Sequence, residues 1–329
     1  MTPGLPRLAG SSTAAKPKVL LVDDHLAVLL RVSSLLSDDF DVVGLATDGQ
    51  QAIDMAQQSA PDVIVLDISM PGRDGFELKH ALDEAGSAAP VVFLSSADGE
   101  VYVSEAFRHG GRGYVVKSQV VRDLPGALDH VRSGRVFVPS LASLLELADP
   151  GGHAVQLQRS PEAALDGLAT FCHLALRRGD ATFLIGTKEM RDGIERRLRA
   201  SGWDVGQSGG HPRYQVVDTD DALRRCMRDG TPDPRVLQEM ISELDQYRRA
   251  TSEGLSGRVT VFGTLSGTLL ARGNAAAAFA LEECWDKLTH DRPFLTLCGY
   301  DSSSFYGANA DLWSGTCDRH WAVNHTTDL

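Results

Sequence analysis

The sequence predicts an α/β protein made of two doubly wound parallel-sheet domains. Three observations carry this prediction. Short apolar runs of strand length alternate with stretches whose apolar residues recur at helical spacing, along most of the chain. A break at "PSLASLLELADPGG" (139–152) divides that alternation into two parts. Finally, 329 residues with 43% hydrophobic content suffice for two cored domains and are too apolar for a disordered chain.

Residues 1–16 are rich in Pro, Gly, Ser, Thr and Ala and read as a disordered tail. From there "KVLLV" (18–22) leads into "LAVLLRVSSLL", "DVVGLA" into "GQQAIDMAQQ", and "VIVLD" into "GFELKHALDEA". "VVFLSS" then precedes "EVYVSEAFRHG", and "GYVVK" precedes "VRDLPGALDHVRSG". Five buried-type strands with intervening helices form a parallel sheet over residues 17–138, and such sheets bind ligands at the carboxyl ends of their strands.

Polar residues collect at those ends. Asp23 and Asp24 follow the first strand, and Asp67, Ser95 and Lys117 end the third, fourth and fifth. Any one of them reads equally well as a strand-end cap. Five at the ends of such strands do not. Converging carboxylates repel unless a divalent cation offsets them, and oxygen-only ligands suit Mg²⁺. An aspartate in that setting can accept a phosphoryl group, with the cation and an ammonium stabilising the transferring oxygens.

The pattern "LLVDDH…VIVLDISMPGRDGFEL…VVFLSSAD…GYVVKS" resembles the receiver domain of two-component response regulators. The resemblance implies a flavodoxin-like fold and a phosphorelay role in the cytoplasm. Phosphate would come from a sensor histidine kinase or a phosphotransfer protein. Asp67 would be the phospho-acceptor, Asp23 and Asp24 the acidic pair holding Mg²⁺, and the carbonyl of Ser69 a further metal ligand. Lys117 would contact the phosphoryl group, with Ser95 the switch hydroxyl and Tyr114 the switch aromatic. Pro71 and Gly75 would set the turn after Asp67. Many receivers carry proline after the lysine; here Ser118 stands there, as in the subfamily whose outputs bind DNA.

Residues 139–150 read as a helical linker, "LASLLELA" having leucines at helical spacing. It packs on one domain or pairs two chains in a homodimer. Residues 151–329 then alternate again through "HAVQLQ" (153–158), "ATFLIGT" (181–187), "YQVVDT" (214–219), "RVTVFG" (258–263) and "PFLTLCGY" (293–300), which predicts five strands. The turn Gly186-Thr187-Lys188 lacks the glycine-rich wrap of a phosphate-binding loop, so it reads as a plain strand-to-helix junction. The markers His153, Gly179, Gly263, Gly273-Asn274, "LEECW" and "LCGY" resemble the MEDS sensory domain. That resemblance implies a RecA/KaiC-like fold without a P-loop that senses a small molecule, hydrocarbon derivatives having been suggested for the family.

Charge narrows the partners. Residues 1–150 carry 12 Lys+Arg against 20 Asp+Glu, and residues 151–329 carry 20 against 24, so neither half has the cationic excess that duplex binding draws on. No apolar run reaches membrane-spanning length. All five cysteines lie after residue 150 without paired spacing, as expected of reduced thiols. Cys317 and His320, with Cys298 and His325 nearby, offer a soft metal set without a second paired motif, and buried thiols fit them better. His153 reads either as a ligand contact or as a satisfied buried histidine. Arg248 and Arg249 read as a solvated helix face. The expectation is a phospho-acceptor that is not an enzyme. A nucleotide hydrolase, a DNA-binding regulator and a protein-interaction module stay open as rival readings of the second half.

Overall fold

The computed structural model describes residues 15–72, 74–147, 151–158, 160–205, 211–251, 257–305, 310–317 and 319–325. The chain divides into two compact units, Met1–Pro139 and Ser140–Leu329. Of the expected tail, residues 1–14 lie outside the described residues; Lys16 is held, its Nζ donating to the Ser37 carbonyl at 2.7 Å.

In the first unit β1 (Lys18–Val22), β2 (Asp41–Ala46), β3 (Val63–Asp67), β4 (Val91–Ser95), β5 (Gly113–Val116) and the two-residue β6 (Val136–Phe137) run in the order β2-β1-β3-β4-β5-β6, each pair parallel. The helices are α1 (Leu26–Leu36), α2 (Gly49–Ser59), α3 (Gly75–Glu84), α4 (Glu100–Arg108) and α5 (Val120–Arg132). Strand alternation explains the two-sided winding. Val19 and Leu21 of β1 join Leu29, Val32 and Leu36 of α1 and Leu124, Leu128 and Val131 of α5 in one apolar layer. Leu20 and Val22 point the other way and join Ala52 and Ala56 of α2, Leu78 and Leu82 of α3, and Val103 and Ala106 of α4. The strand order reverses between β1 and β3, which makes their carboxyl ends the place where a doubly wound sheet opens a crevice.

The second unit opens with α6 (Leu141–Leu147), the expected linker helix. Leu141, Leu144 and Leu145 are buried, and α6 packs on α7 (Pro161–Arg178). Its end is tied down as well. The Arg258 guanidinium donates to the Leu145 carbonyl at 3.3 Å and to the fully buried Asp180 carboxylate at 3.0 and 3.1 Å, and Asp180 also accepts from Thr260 Oγ1 at 2.9 Å. A buried carboxylate with three donors is satisfied, and it fixes the guanidinium that caps α6. The helix-breaking residues 148–150 lie outside the described residues.

Beyond it come β7 (Gly152–Gln158), β8 (Ala181–Gly186), α8 (Lys188–Ala200), β9 (Tyr214–Asp218), α9 (Thr219–Cys226), and a short antiparallel pair, β10 (Met227–Arg228) with β11 (Thr231–Pro232). They are followed by α10 (Pro234–Thr251), β12 (Val259–Gly263), α11 (Leu265–Ala271), α12 (Ala275–Thr289), β13 (Phe294–Asp301), α13 (Ala310–Cys317) and β14 (Ala322–His325). The main sheet of this unit reads β14-β7-β13-β12-β8-β9, with every pair parallel. Among the described residues it has six strands where the sequence predicts five. The sixth, β14, is four residues long and has only Ala322 and Val323 as apolar members, too short a run to register as a strand by pattern.

Candidate functional site

The site of the first unit is built at the carboxyl ends of β1, β3 and β5. Asp67 is the last residue of β3 and 2% exposed; Asp23 follows β1 and is 3% exposed. Lys117, at the end of β5, reaches across to both, its Nζ 2.7 Å from Asp23 Oδ2 and 2.9 Å from Asp67 Oδ2. Burial pushes the Asp67 carboxyl above the usual carboxylate range, and the Lys117 bond pulls it back only in part. For Lys117 burial works against the charge, but Asp23 and Asp67 outweigh it and hold its pKa above the ordinary lysine value.

Asp67 Oδ1 is buried and has no hydrogen-bond partner. An acceptor left open beside a paired one is what a site for an incoming cation or electrophile presents. Asp23, Asp24 and His25 bring further donor atoms within 4.8 Å of one another. Their local order comes from the turn into α1: the His25 amide donates to Asp23 Oδ1 at 2.9 Å, and His25 Nδ1 lies 2.8 Å from Asp24 Oδ1. His25 is a member that the sequence reading passed over; its position directly after the paired aspartates was the available signal. Three carboxylates and one ammonium leave the edge anionic, and this oxygen-rich set fits a hard divalent cation.

The remaining residues fall beside this centre. Ser95 Oγ accepts from the Ala97 amide at 3.1 Å, and the Tyr114 hydroxyl donates to the Ala97 carbonyl at 2.6 Å. Ser95 and Tyr114 thus hold opposite sides of one loop residue, with the Tyr114 ring fully buried. Ser69 is exposed in the loop after Asp67, and Ser118 is exposed in the short 3₁₀ turn Lys117–Gln119.

Gly75 closes that loop. Its amide donates to the Ile68 carbonyl at 2.8 Å, and a Cβ there would sit 2.4 Å from the Asp67 carbonyl oxygen and 2.8 Å from Ile68 Cα. Both neighbours are backbone and cannot rotate away. Gly75→Ala is therefore expected to lower stability by about 1–3 kcal/mol, as overpacking does. Denaturant unfolding of the variant checks this, and wild-type stability would contradict the placement of the loop.

In the second unit Gly186-Thr187-Lys188 is a capped helix start, the Thr187 side chain accepting from the Met190 amide at 3.4 Å. His153 is 2% exposed, its Nε2 2.9 Å from Glu282 Oε2 and 3.2 Å from Cys298 Sγ. His320 reaches the same cluster and Cys317 does not, so the Cys-x-x-His pair is divided. His325 lies in β14, with its side chain outside the described residues. Arg248 and Arg249 both bond to Asp245.

Comparison with known proteins agrees with this division. Residues 19–129 match the response regulator receiver domain family, and residues 152–313 match the MEDS family, the methanogen/methylotroph, DcmR sensory domain. The nitrate/nitrite response regulator protein NarL of Escherichia coli (strain K12) is 36% identical over 122 residues, covering 36% of this chain and 56% of that protein. The transcriptional regulatory protein DesR of Bacillus subtilis (strain 168) is 32% identical over 126 residues, covering 37% and 62%. The chain thus spans little more than half the length of these curated relatives. Among solved structures, the isolated receiver domain of RcsB from Salmonella enterica serovar Typhimurium is 26% identical, covers 41% of this chain and all of that one, and has a TM-score of 0.36.

Proposed function

From a chain that joins a response regulator receiver domain to a MEDS domain, we propose a phosphorylation-controlled regulator in which Asp67 takes a phosphoryl group and sets the state of the second unit. The observation that carries this reading is the Asp67 carboxylate itself, buried at the crevice of the sheet, with Oδ2 held by Lys117 and Oδ1 open. The donor is a sensor histidine kinase or a phosphotransfer protein. Asp67 Oδ1 attacks phosphorus, the P–N bond of the donor's phosphohistidine breaks, and the product is an aspartyl phosphate. Lys117 neutralises charge on the transferring oxygens and keeps Asp67 aligned. Mg²⁺, when bound by Asp23, Asp24, Asp67 and the Ser69 carbonyl, supplies the remaining positive charge. Ser95 and Tyr114 both bond the backbone of Ala97, so a hydroxyl drawn toward the phosphoryl group would pull on the loop that Tyr114 holds.

The second unit is the output, a small-molecule sensor or a partner-binding module, and not a nucleotide hydrolase. A sensing role is supported by an apolar cavity of about 30 Å³ between β8, β12, β13 and α12, room for a ligand of very few heavy atoms. For phosphorylation to control this unit, it must stabilise one of the unit's states over another. The anionic balance of both halves supports protein or small-molecule partners over nucleic acid. Among the described residues no helix is long and apolar enough to cross a membrane, and the proposed site of action is the cytoplasm.

Acetyl phosphate with Mg²⁺ tests the proposal on the wild-type chain. One phosphoryl group should add, and borohydride reduction followed by peptide mapping should place it on Asp67. Modification at another residue, or equal modification with Mg²⁺ chelated, would overturn the assignment.

A further inference from the structure

His153, Glu282, Cys298 and His320 of the second unit each contribute one donor atom to a cluster, the four atoms lying within 4.8 Å of one another. We propose that they form a tetrahedral binding site for a divalent transition ion of the zinc class, separate from the oxygen-lined site at Asp67.

The fold brings them together from far apart in sequence. In the parallel register of β7 and β13, His153 pairs with Thr296, so His153, Thr296, Cys298 and Tyr300 lie on one face of the sheet. α12 covers that face, and the bond from Trp285 Nε1 to Thr296 Oγ1 at 2.9 Å fixes its register. Glu282, one turn earlier, is thereby set over Cys298 and His153. His320 enters from the turn between α13 and β14, which is fastened to β7 by the Trp321 amide donating to the His153 carbonyl at 2.7 Å.

The spacing suits an ion. Metal–nitrogen, –oxygen and –sulfur bonds of about 2.0–2.3 Å place tetrahedral ligands roughly 3.3–3.8 Å apart. Here His153 Nε2–Glu282 Oε2 is 2.9 Å, His153 Nε2–Cys298 Sγ 3.2 Å, Cys298 Sγ–Glu282 Oε2 3.5 Å and His320 Nε2–Glu282 Oε2 3.5 Å. These four separations lie close to that range, and the remaining pairs are within 4.8 Å. Two neutral imidazoles, a thiolate and a carboxylate around M²⁺ also sum to zero charge, which suits residues 1–3% exposed at His153, Glu282 and His320.

Hydrogen bonding within the protein leaves one inner nitrogen of the cluster unaccounted for. His320 Nδ1 lies 2.7 Å from the Thr316 carbonyl, an acceptor only, so Nδ1 carries the proton and Nε2 the lone pair. That buried Nε2 has no hydrogen-bond partner and faces a carboxylate oxygen. A cation between the two resolves the opposition. Protonating both imidazoles instead would set two buried cations with ring centroids 4.3 Å apart. Two outer contacts also follow those of metal centres: the Thr316 carbonyl fixes the His320 ring, and the Tyr300 hydroxyl donates to Glu282 Oε1. His153 Nδ1 has no hydrogen-bond partner and stands 3.6 Å from Asp286 Oδ1. The apolar cavity described above reaches the Glu282–Cys298 edge of the site.

Cobalt(II) reports the site directly, because only a thiolate-containing site gives a sulfur-to-cobalt charge-transfer band. Full-length protein, stripped with chelator and kept in excess Mg²⁺, should bind one equivalent of Co²⁺ with that band and with intense tetrahedral visible absorption; Zn²⁺ should abolish both. Cys298→Ser should lose the charge-transfer band, while Cys284→Ser, on the same helix as Glu282 but outside the cluster, should retain it. Absence of the band in the wild type overturns the proposal whatever the variants do, as does its persistence in Cys298→Ser.

Discussion

Asp67→Asn is expected to remove phosphoryl transfer from acetyl phosphate while making the first unit more resistant to opening at neutral pH. Asparagine keeps the volume and the bond to Lys117, but its amide offers no anionic oxygen to attack phosphorus, so transfer should fall by at least about a hundredfold. The stability gain has a separate origin. Burial raises the Asp67 carboxyl above its ordinary value. A carboxyl whose folded pKa exceeds its unfolded one contributes stability at acid pH and loses it as pH rises through the folded value. Lys117 points the other way, raised by the same contact. Asp67 sets the sign, because its side chain is 2% exposed against 24% for Lys117, and Lys117 keeps Asp23 in the variant. With Mg²⁺ chelated, native-state hydrogen exchange at β1 and β3 should be slower in Asp67→Asn than in wild type at neutral pH, and the difference should vanish toward acid pH. A variant that still accepts phosphate, or whose β3 amides exchange faster at neutral pH, contradicts the account.

Much of this first site was legible because its members stand at strand ends. Once "VIVLD" reads as a buried strand, Asp67 has one place to be, and Asp23 and Lys117 follow from the same alternation. The loop contacts were less visible. That Ser95 and Tyr114 meet at Ala97 depends on a side chain crossing from β5 to the loop after β4, which no local pattern encodes. The second unit shows the limit more sharply. "LEECW" reads as an ordinary amphipathic helix, and a buried Glu282 becomes visible only when α12 is set over β13. The pairing of Cys317 with His320 by spacing was likewise misleading, because a turn after α13 sends His320 into the cluster while Cys317 stays with the helix. Residues joined by register across a parallel sheet leave no short-range trace. Asp180 and Arg258 are a further case: each is a lone charge at a strand start, and only the pairing of β8 with β12 makes them the anchor of α6.

The largest effect on stability is expected at Glu282. Its carboxylate is 1% exposed and bonds Tyr300 and Cys298 of β13 and His153 of β7, with His320 Nε2 3.5 Å away. Burial alone would raise its pKa, but the His153 imidazole 2.9 Å away outweighs burial and holds it well below the usual range, so the ionised form is the one the fold supports. Glu282→Ala, measured after chelation, deletes the centre of this network. Two imidazoles remain with ring centroids 4.3 Å apart and no counter-charge between them, and a buried tyrosine hydroxyl loses its acceptor. Removing one partner of a buried charged set costs about 3–5 kcal/mol, and the lost side-chain volume beneath α12 adds to that. The loss should be local to the second unit. Hydrogen exchange in β7 and β13 should accelerate by two to three orders of magnitude or more, while β1 and β3 keep wild-type protection, since Glu282 contributes nothing to the core layers of the first unit. Glu282→Gln, which retains volume and one carbonyl acceptor for Tyr300, should fall between alanine and wild type. Equal, wild-type protection in both variants would mean that the carboxylate does not hold these elements together, and that the cluster is a coincidence of packing.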